Sequence, residues 1–202
     1  RRDFTINAMA LEVKDQKLEI RDPYGGQKDL TAKLIRAVGN GERRFEEDAL
    51  RMLRAARLAS QLVGFKIEDE TKSAIKKNAA WLQAISKERI RDEFSKIVIT
   101  EAAWPGLELL QELELLKYIV PELEEGIGCT QNKHHIYTVW EHNMRSLDYA
   151  AKHNWPLAVR LGALLHDVAK PRSKHGEGPD STFYGHDVLG SKMTYQILSR
   201  LR

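Results

Sequence analysis

The chain has 202 residues, of which 42% are hydrophobic and 30% are charged, a composition typical of a folded globular protein. No apolar run approaches the roughly 20 residues that a membrane-spanning helix requires, so we expect no membrane partner. The single Cys129 excludes an internal disulfide and any zinc site built on several cysteines. A lone cysteine fits a reducing compartment, and we expect a cytoplasmic protein.

The positive charge is concentrated in the first half of the chain. Residues 1–100 contain 21 Lys and Arg against 16 Asp and Glu, whereas residues 101–202 contain 11 against 13. A mildly basic segment is compatible with a polyanionic partner such as a nucleotide or RNA. The chain starts at Arg1 without an initiator methionine and stops inside a predicted helix, so we expect it to be part of a longer protein.

The predicted elements change character near residue 40. Before it, two short apolar runs around Lys14–Lys17 predict a hairpin, and a turn-rich Asp22–Gly26, a short helix and a strand at Leu34–Val38 follow. After Gly41 the apolar spacing is helical. It predicts one helix carrying Phe45 and ending at Gly64, then helices at about 69–82, 87–100, 106–117, 137–153, 156–170 and from 187 onwards. The predicted fold is therefore mainly α, with a small mixed α/β segment at 1–40, a helical middle at 41–130 and a helical end at 131–202.

A ladder of charged residues runs along the first long predicted helix. Asp48, Arg51, Arg54 and Arg57 recur every three residues, which places them in a slowly winding stripe on one side of the helix. In the simplest interpretation the stripe is a solvated face in which Asp48 and Arg51 form an i,i+3 ion pair.

The same two residues also fit the edge of a nucleobase. A carboxylate only accepts hydrogen bonds and a guanidinium only donates them. Held side by side, Asp48 and Arg51 match the amino group and neighbouring ring nitrogen of cytosine or adenine, whereas uracil and guanine present the reverse pattern. Arg54 and Arg57 lie one and two turns further on, where their guanidinium groups suit phosphate.

Three ordered segments carry a resemblance to a known family. They are RRDFTINAMA at residues 1–10, DPYGGQKDL at 22–30 followed by Ile35 and Arg36, and RFEEDALRMLRAAR at 44–57. Together they resemble the bacterial CCA-adding tRNA nucleotidyltransferases and the related bacterial poly(A) polymerases, over residues 1 to about 125.

The resemblance implies template-independent nucleotidyl transfer to a tRNA or RNA 3′ end, with CTP, ATP and Mg²⁺. It makes Asp48 and Arg51 the base-reading pair, and Arg2, Arg54 and Arg57 the contacts to the incoming nucleotide. Residues 1–40 become the end of a nucleotidyltransferase head, and residues 41–130 a helical neck that holds RNA. The resemblance also places Asn7 and Asp3 in the pocket wall and makes Asp22–Leu30 a flexible element that adjusts the pocket between C and A.

Metal-dependent transfer of this kind requires carboxylates that hold Mg²⁺ near the 3′-hydroxyl and the leaving pyrophosphate. In the family these form an Asp-x-Asp pair upstream of the first segment. We therefore assign no catalytic residue to the 202 residues and expect them to be inactive alone, as a nucleotide- and RNA-holding piece of an enzyme.

A second group of candidate ligands lies in the last third. His166 and Asp167 follow an apolar helix, His142 lies on the preceding helix, and His186 or His175 follows a long loop. Imidazole nitrogens and a carboxylate on neighbouring helices suit a divalent transition metal. This segment resembles the helical HD superfamily of metal-dependent phosphohydrolases, whose last aspartate is expected on a later helix. His134, His135 and His153 are expected to be ordinary surface or packing residues.

The other aromatic residues of this segment are expected to be core residues rather than base-stacking platforms. They are Tyr137, Trp140, Tyr149 and Trp155.

Three functional hypotheses remain at this point. The first is part of a CCA-adding or poly(A)-adding enzyme, between which the shared ladder does not decide. The second is an HD-type phosphohydrolase acting on nucleotides or cyclic phosphates, and the third is an RNA-holding fragment without activity of its own. The sequence leaves the oligomeric state open.

Overall fold

A computed structural model describes residues 2–14, 17–132 and 136–202. The strands are β1 (Ala10–Lys14), β2 (Lys17–Arg21), β3 (Leu34–Ile35) and β4 (Lys66–Ile67). The helices are α1 (Gly26–Ala32), α2 (Gly41–Glu47), α3 (Leu50–Gln61), α4 (Asp69–Asn78), α5 (Lys87–Val98), α6 (Ala103–Glu112), α7 (Pro121–Glu124), α8 (Val139–Lys152), α9 (Leu157–Leu165), α10 (Lys170–Ser173) and α11 (His186–Arg200). The prediction of a mainly helical fold with a small mixed N-terminal segment is confirmed.

The N-terminal segment contributes strands to two small sheets. β1 and β2 form the expected antiparallel hairpin, with Leu11 opposite Ile20, and its turn residues Asp15 and Gln16 lie outside the described residues. β3 pairs in parallel with β4 and is shorter than the strand predicted up to Val38. Ahead of β1, residues 5–7 form a 3₁₀ turn after the buried Phe4.

The segment Asp22–Leu30 is tied to its surroundings at both ends. The Asp22 carboxylate accepts hydrogen bonds from the backbone N–H groups of Gly26 and Gln27 at 2.7 and 2.8 Å, and these bonds lower the pKa of that carboxyl. The buried Asp29 accepts from Thr5 Oγ1 at 2.6 Å and from Arg36 Nη2 at 2.8 Å. A Cβ atom at Gly26 would collide with the Thr5 carbonyl oxygen, so α1 starts in direct backbone contact with the 3₁₀ turn.

The charged ladder does not lie on one helix, and this prediction is wrong. α2 ends at Glu47, Asp48 is extended with φ −160° and ψ 102°, and α3 begins at Leu50. The Asp48 carboxylate accepts a hydrogen bond from the Leu50 backbone N–H at 3.2 Å. Aspartate competes with helix continuation in this way, because its short side chain satisfies backbone donors that have no helical partner.

One hydrophobic core runs through the helices. Its buried residues extend from Phe4 at the start of the chain to Leu201 after α11. The buried Arg160 of α9 crosses this core region, where it donates to the carbonyl oxygens of Val98 and Thr100 after α5 at 3.2 and 2.8 Å. It also donates to Trp155 O at 2.8 Å, so one guanidinium joins the helical middle to the helical end.

Two aromatic side chains expected in the core lie on the surface instead. Tyr149 is 56% exposed and Trp155 is 41% exposed, whereas Trp140 packs against the edge of the core. Tyr149 shares a face of α8 with His142 rather than with the buried Leu147, and Trp155 follows the end of that helix.

No helix of the described residues is both long enough and apolar enough to cross a bilayer.

Candidate functional site: two charged clusters

The carboxylate of Asp48 lies between two helices. Its Oδ1 accepts from the Leu50 backbone N–H at the start of α3, and its Oδ2 is 2.7 Å from Nη2 of Arg89 on α5. Both side chains are partly exposed, so the pair is accessible to a ligand. A carboxylate offers about four lone-pair positions, and two protein donors leave Asp48 able to accept a further hydrogen bond.

Arg51 is bound to Glu47 rather than to Asp48. Its Nη1 donates to Glu47 Oε2 at 2.8 Å and to the Arg44 carbonyl oxygen at 2.9 Å. The other Glu47 oxygen pairs with Arg44 Nη2 at 2.8 Å. The expected Asp48–Arg51 ion pair is therefore replaced by two separate pairs, because the helix break at Asp48 turns its carboxylate toward α5.

The other two ladder arginines also face carboxylates. Arg54 Nη2 lies 2.8 Å from Oδ2 of the buried Asp3, and Arg57 Nε lies 2.6 Å from Glu93 Oε2. Glu93 and Arg89 are four residues apart on α5, and this helix thus supplies partners to both ends of the ladder. The helix packs there because Ile90 and Phe94, on the same side, are buried.

Two open cavities flank the end of α2. One, of about 640 Å³, is lined among others by Arg2, Tyr24, Arg43 and Glu47. The other, of about 580 Å³, is lined by Glu47, Asp48, Trp81 and Arg89 together with neighbouring apolar side chains. Glu47 is the residue that both cavities share.

The expected nucleotide contacts are thus distributed over this region. Arg2 lines the first cavity and Asp48 the second. Of the described residues that line either cavity, none is Asn7, Arg51, Arg54 or Arg57, so the expected partner of Asp48 lies outside the cavity that Asp48 lines.

The sequence analysis did not select Glu47 or Arg89. Glu47 stands four residues before Arg51, and this i,i+4 spacing was a usable signal for an ion pair on a continuous helix. No comparable signal existed for Arg89, since 41 residues separate it from Asp48 and only the packing of α5 brings them together.

The second cluster is assembled where α8 packs against α9. His142 Nε2 lies 2.9 Å from His166 Nε2 and 3.2 Å from Asp167 Oδ2, and His166 Nε2 lies 3.3 Å from the same oxygen. Two imidazole N–H groups cannot face each other at that distance, so at least one of these nitrogens presents a lone pair.

Backbone carbonyls orient the histidine rings. His166 Nδ1 donates to Ala163 O at 2.8 Å, and His186 Nδ1 donates to Phe183 O at 2.7 Å, so each Nε2 points away from the backbone. His186 Nε2 is 3.8 Å from Asp167 Oδ1. Of the two alternatives for the later histidine, His186 therefore faces the cluster, whereas His175 pairs its backbone with Thr182.

Lys170 adds a positive charge to this cluster. Its Nζ lies 2.7 Å from Asp167 Oδ2 and 2.8 Å from Gln131 Oε1. Burial opposes ionisation of Asp167, but hydrogen bonds from His166 and Lys170 outweigh it and hold the pKa of that carboxyl far below its usual range. The hydrogen bond to Asp167 raises the pKa of His166.

The cluster has the dimensions of a metal site. Ligand atoms about 2.1 Å from one ion lie roughly 3.0–3.5 Å apart, and the atoms of His142, His166 and Asp167 are separated by 2.9–3.3 Å. Carbonyl bonds to the far nitrogen of a ligating imidazole are the usual way in which its orientation is fixed. The residues present therefore fit a divalent cation.

Comparison with known proteins covers nearly the whole chain. Residues 1–36 match the family model described as "Poly A polymerase head domain", and residues 64–127 match "Probable RNA and SrmB- binding site of polymerase A". Residues 139–202 match "HD domain". The chain belongs to the tRNA nucleotidyltransferase and poly(A) polymerase family.

Among the relatives are an A-adding tRNA nucleotidyltransferase of Deinococcus radiodurans and a multifunctional CCA protein of Pseudomonas syringae. They are 39% and 35% identical over this entire chain, which spans 47% and 49% of their lengths. The Bacillus stearothermophilus CCA-adding enzyme, solved in complex with CTP, is 30% identical and superposes over 98% of this chain and 44% of its own, with a TM-score of 0.59. The chain thus spans about half the length of these family members.

Proposed function

We propose that this chain is the base-selecting and RNA-holding part of a template-independent nucleotidyltransferase that adds CCA, from CTP and ATP, to tRNA 3′ ends. The observation that carries the proposal is the open cavity in which Asp48 faces solvent beside Arg89. The names of the relatives, and the CTP bound to one solved neighbour, support it. The proposed division is a head remnant at 1–40, a neck at 41–130 and an HD-type domain at 131–202.

In this proposal Asp48 accepts a hydrogen bond from the amino group of cytosine or adenine. Arg51 donates to the neighbouring ring nitrogen, and Glu47 holds its guanidinium in place through Nη1. A guanidinium has five N–H donors, so one bound nitrogen leaves others for the base. Uracil and guanine place a carbonyl against the carboxylate and are rejected.

The phosphates are assigned to the arginines. Arg2 lies in the cavity that opens beside Glu47. Arg54 and Arg57 are assigned to the same role through the N–H donors that Asp3 and Glu93 do not engage. Mg²⁺ would neutralise the leaving pyrophosphate, and the proposal assigns none of its ligands to these 202 residues.

Nucleotide titration of the 202-residue chain tests this function directly. Calorimetry is expected to show tighter binding of CTP and ATP than of UTP and GTP, and Asp48→Ala is expected to remove the difference. Glu19→Ala, an exposed acidic residue of β2, serves as the control. Equal affinity for all four nucleotides would contradict base selection at this site.

The RNA substrate is tested separately. We expect tighter binding of tRNA that lacks its CCA end than of an oligoadenylate of the same charge. The opposite preference would favour the alternative of a poly(A) polymerase, which carries the same ladder.

A second function is proposed on a separate observation, the convergence of His142, His166 and Asp167. These residues would hold one divalent transition metal ion, which when bound supplies Lewis acidity and an activated water for phosphoester hydrolysis. His142 and His166 would ligate through Nε2 and Asp167 through Oδ2, and Lys170 contacts the same carboxylate oxygen. The substrate class is a nucleotide or a 2′,3′-cyclic phosphate.

Metal analysis after dialysis against Mn²⁺, Ni²⁺, Co²⁺ or Fe²⁺ checks this second function. We expect about one ion per chain, lost in Asp167→Ala and retained in His175→Ala, whose histidine is exposed and outside the cluster. Hydrolysis of 2′,3′-cyclic AMP is expected to follow the metal content. Equal metal retention by the wild type and Asp167→Ala would refute the site.

A further inference from the structure

Three aromatic rings form an exposed cluster at the end of α8. The ring centroids of Tyr149 and His153 are 4.1 Å apart with a 30° interplanar angle, a nearly stacked arrangement. Trp155 contacts both rings with centroid distances of 5.7 Å. All three side chains belong to exposed residues, so the structure leaves a joint aromatic surface open to solvent.

This cluster is held in place by the backbone around it. His153 Nδ1 donates to Tyr149 O at 2.8 Å, which fixes the imidazole orientation. The Trp155 backbone N–H donates to Ala150 O at 3.0 Å, and its carbonyl accepts from the buried Arg160 at 2.8 Å. The rings are therefore positioned before any ligand arrives, which lowers the entropy lost on binding.

The cluster lies on the same face of α8 as a residue of the second charged cluster. Tyr149 and His153 follow His142 by 7 and 11 residues, spacings that return to within about 20° of the same helix face. At about 1.5 Å per residue, Tyr149 is roughly 10 Å along the axis from His142. That distance corresponds to about three stacked bases at 3.4 Å each.

We propose that Tyr149, His153 and Trp155 form a stacking platform for the bases of a single-stranded RNA. The strand runs along the exposed face of α8 and presents its terminal phosphate to His142, His166 and Asp167. Aromatic side chains bind successive bases without sequence preference, because every base offers a flat π face. The exposed Lys152, adjacent to His153, forms an ion pair with Asp148 at 2.6 Å, so the stacking surface rather than the local charge carries the proposal. The direction of the strand rests on the proposed phosphohydrolase function, whereas the stacking does not.

Binding of a fluorescein-labelled single-stranded RNA hexanucleotide to the 202-residue chain tests the platform by fluorescence anisotropy. Loss of one base stack weakens binding by roughly 5- to 150-fold. We expect such a loss in Tyr149→Leu and in Trp155→Leu, and near wild-type affinity in Tyr149→Phe, which keeps the ring. Tyr195→Leu, which removes an exposed tyrosine of α11, is the matched control.

A second measurement uses only the wild-type chain, so it does not require that the substituted proteins fold. A hexanucleotide with 4-thiouridine is crosslinked to the wild-type chain, and the modified peptide is expected to contain residues 149–155. Unchanged affinity in both leucine variants, or crosslinks confined to other segments, would overturn the platform.

The two proposals are separated by the substrate used. If the metal-loaded chain hydrolyses cyclic phosphates, Tyr149→Leu is expected to raise the KM for an oligonucleotide that ends in a 2′,3′-cyclic phosphate. The same variant is expected to hydrolyse 2′,3′-cyclic AMP, which carries only one base, at the wild-type rate. If neither substrate is hydrolysed by the metal-loaded wild type, the hydrolase fails and the anisotropy and crosslinking results still decide the platform.

Discussion

Asp48 and Arg89 form an ion pair of 2.7 Å between the break that follows α2 and the first turn of α5. A partly exposed pair of this kind contributes only about 0.2–1 kcal/mol to stability. Its larger effect is geometric, because Arg89 and the Leu50 N–H together fix the direction in which the carboxylate accepts hydrogen bonds. In the proposed function, base selection at Asp48 would therefore depend on a residue of another helix.

Replacing Arg89 by methionine tests this dependence. We expect Arg89→Met to lose most of the preference for CTP over UTP, because the carboxylate is free to rotate, while the unfolding free energy changes by about 1 kcal/mol or less. Arg89→Lys is expected to restore part of the preference. The control is Arg91→Met, which removes an exposed arginine paired with the adjacent Asp92. Nucleotide titration measures the preference, and an unaltered CTP to UTP ratio in Arg89→Met would show that Asp48 is oriented without it.

The two glycines 26 and 162 give opposite predictions for the same substitution. A Cβ at Gly26 meets the Thr5 backbone and Met9, so Gly26→Ala is expected to destabilise the fold by about 2 kcal/mol or more. Gly162 lies inside α9, where an added Cβ would meet no atom within 4 Å other than the local backbone of its own helix, and Gly162→Ala is expected to stabilise by about 0.5–1 kcal/mol. Urea denaturation of both variants measures the difference, and equal effects would contradict the close contact at Gly26.

Arg160 gives the largest expected loss of stability. Arg160→Met keeps much of the side-chain volume but leaves the carbonyl oxygens of Val98 and Thr100 without this donor. Buried acceptors without partners cost about 1–3 kcal/mol each, so we expect a loss of about 3 kcal/mol. Lys192→Met, at an exposed position of α11, is the control, and a loss similar to that of the control would contradict the role assigned to Arg160.

The pair between Glu122 and Arg200 predicts an acid-dependent contribution to stability. Burial raises the pKa of Glu122, but the hydrogen bonds and charge of Arg200 outweigh it and bring the pKa below the usual 4.5. The ionised form is thus favoured in the folded state, and the stabilisation is present above pH 4.5 and lost as the pH falls through the lowered pKa. We expect Glu122→Gln to destabilise by about 1 kcal/mol or less at pH 7 and by progressively less as the pH falls below 4.5.

Urea denaturation at both pH values measures this contribution. The exposed Glu101→Gln is the control at each pH. A Glu122→Gln deficit that is as large at pH 3 as at pH 7 would contradict the ion pair.

The sequence predicted those parts of the fold that depend on local pattern. Apolar spacing located most helices, and alternation around Lys14–Lys17 located the hairpin. The break at Asp48 was missed because the apolar residues on both sides continue the helical period. Its cause is a side chain that caps the next helix, which spacing alone does not reveal.

For the two charged clusters, too, the sequence pointed only to residues that are close together along the chain. Residues within a few positions of each other were selected together, as in the ladder and in His166 with Asp167. Partners brought by tertiary packing were not, and Arg89, Glu93 and the Gln131 that binds Lys170 are of this kind. The exposure of Tyr149 was missed because helical spacing alone does not show which face of a helix is buried, and Trp155 lies beyond the end of α8.

The position of Arg160 has a mechanical consequence. Its guanidinium belongs to the segment that matches the HD domain, yet it binds carbonyl oxygens that end α5 in the neck. A relative motion of α5 and α9 would have to break these bonds, so Arg160 links the helical middle to the helical end. For an RNA that contacted both charged clusters, the bonds of Arg160 would therefore help to set the spacing between its two contact points.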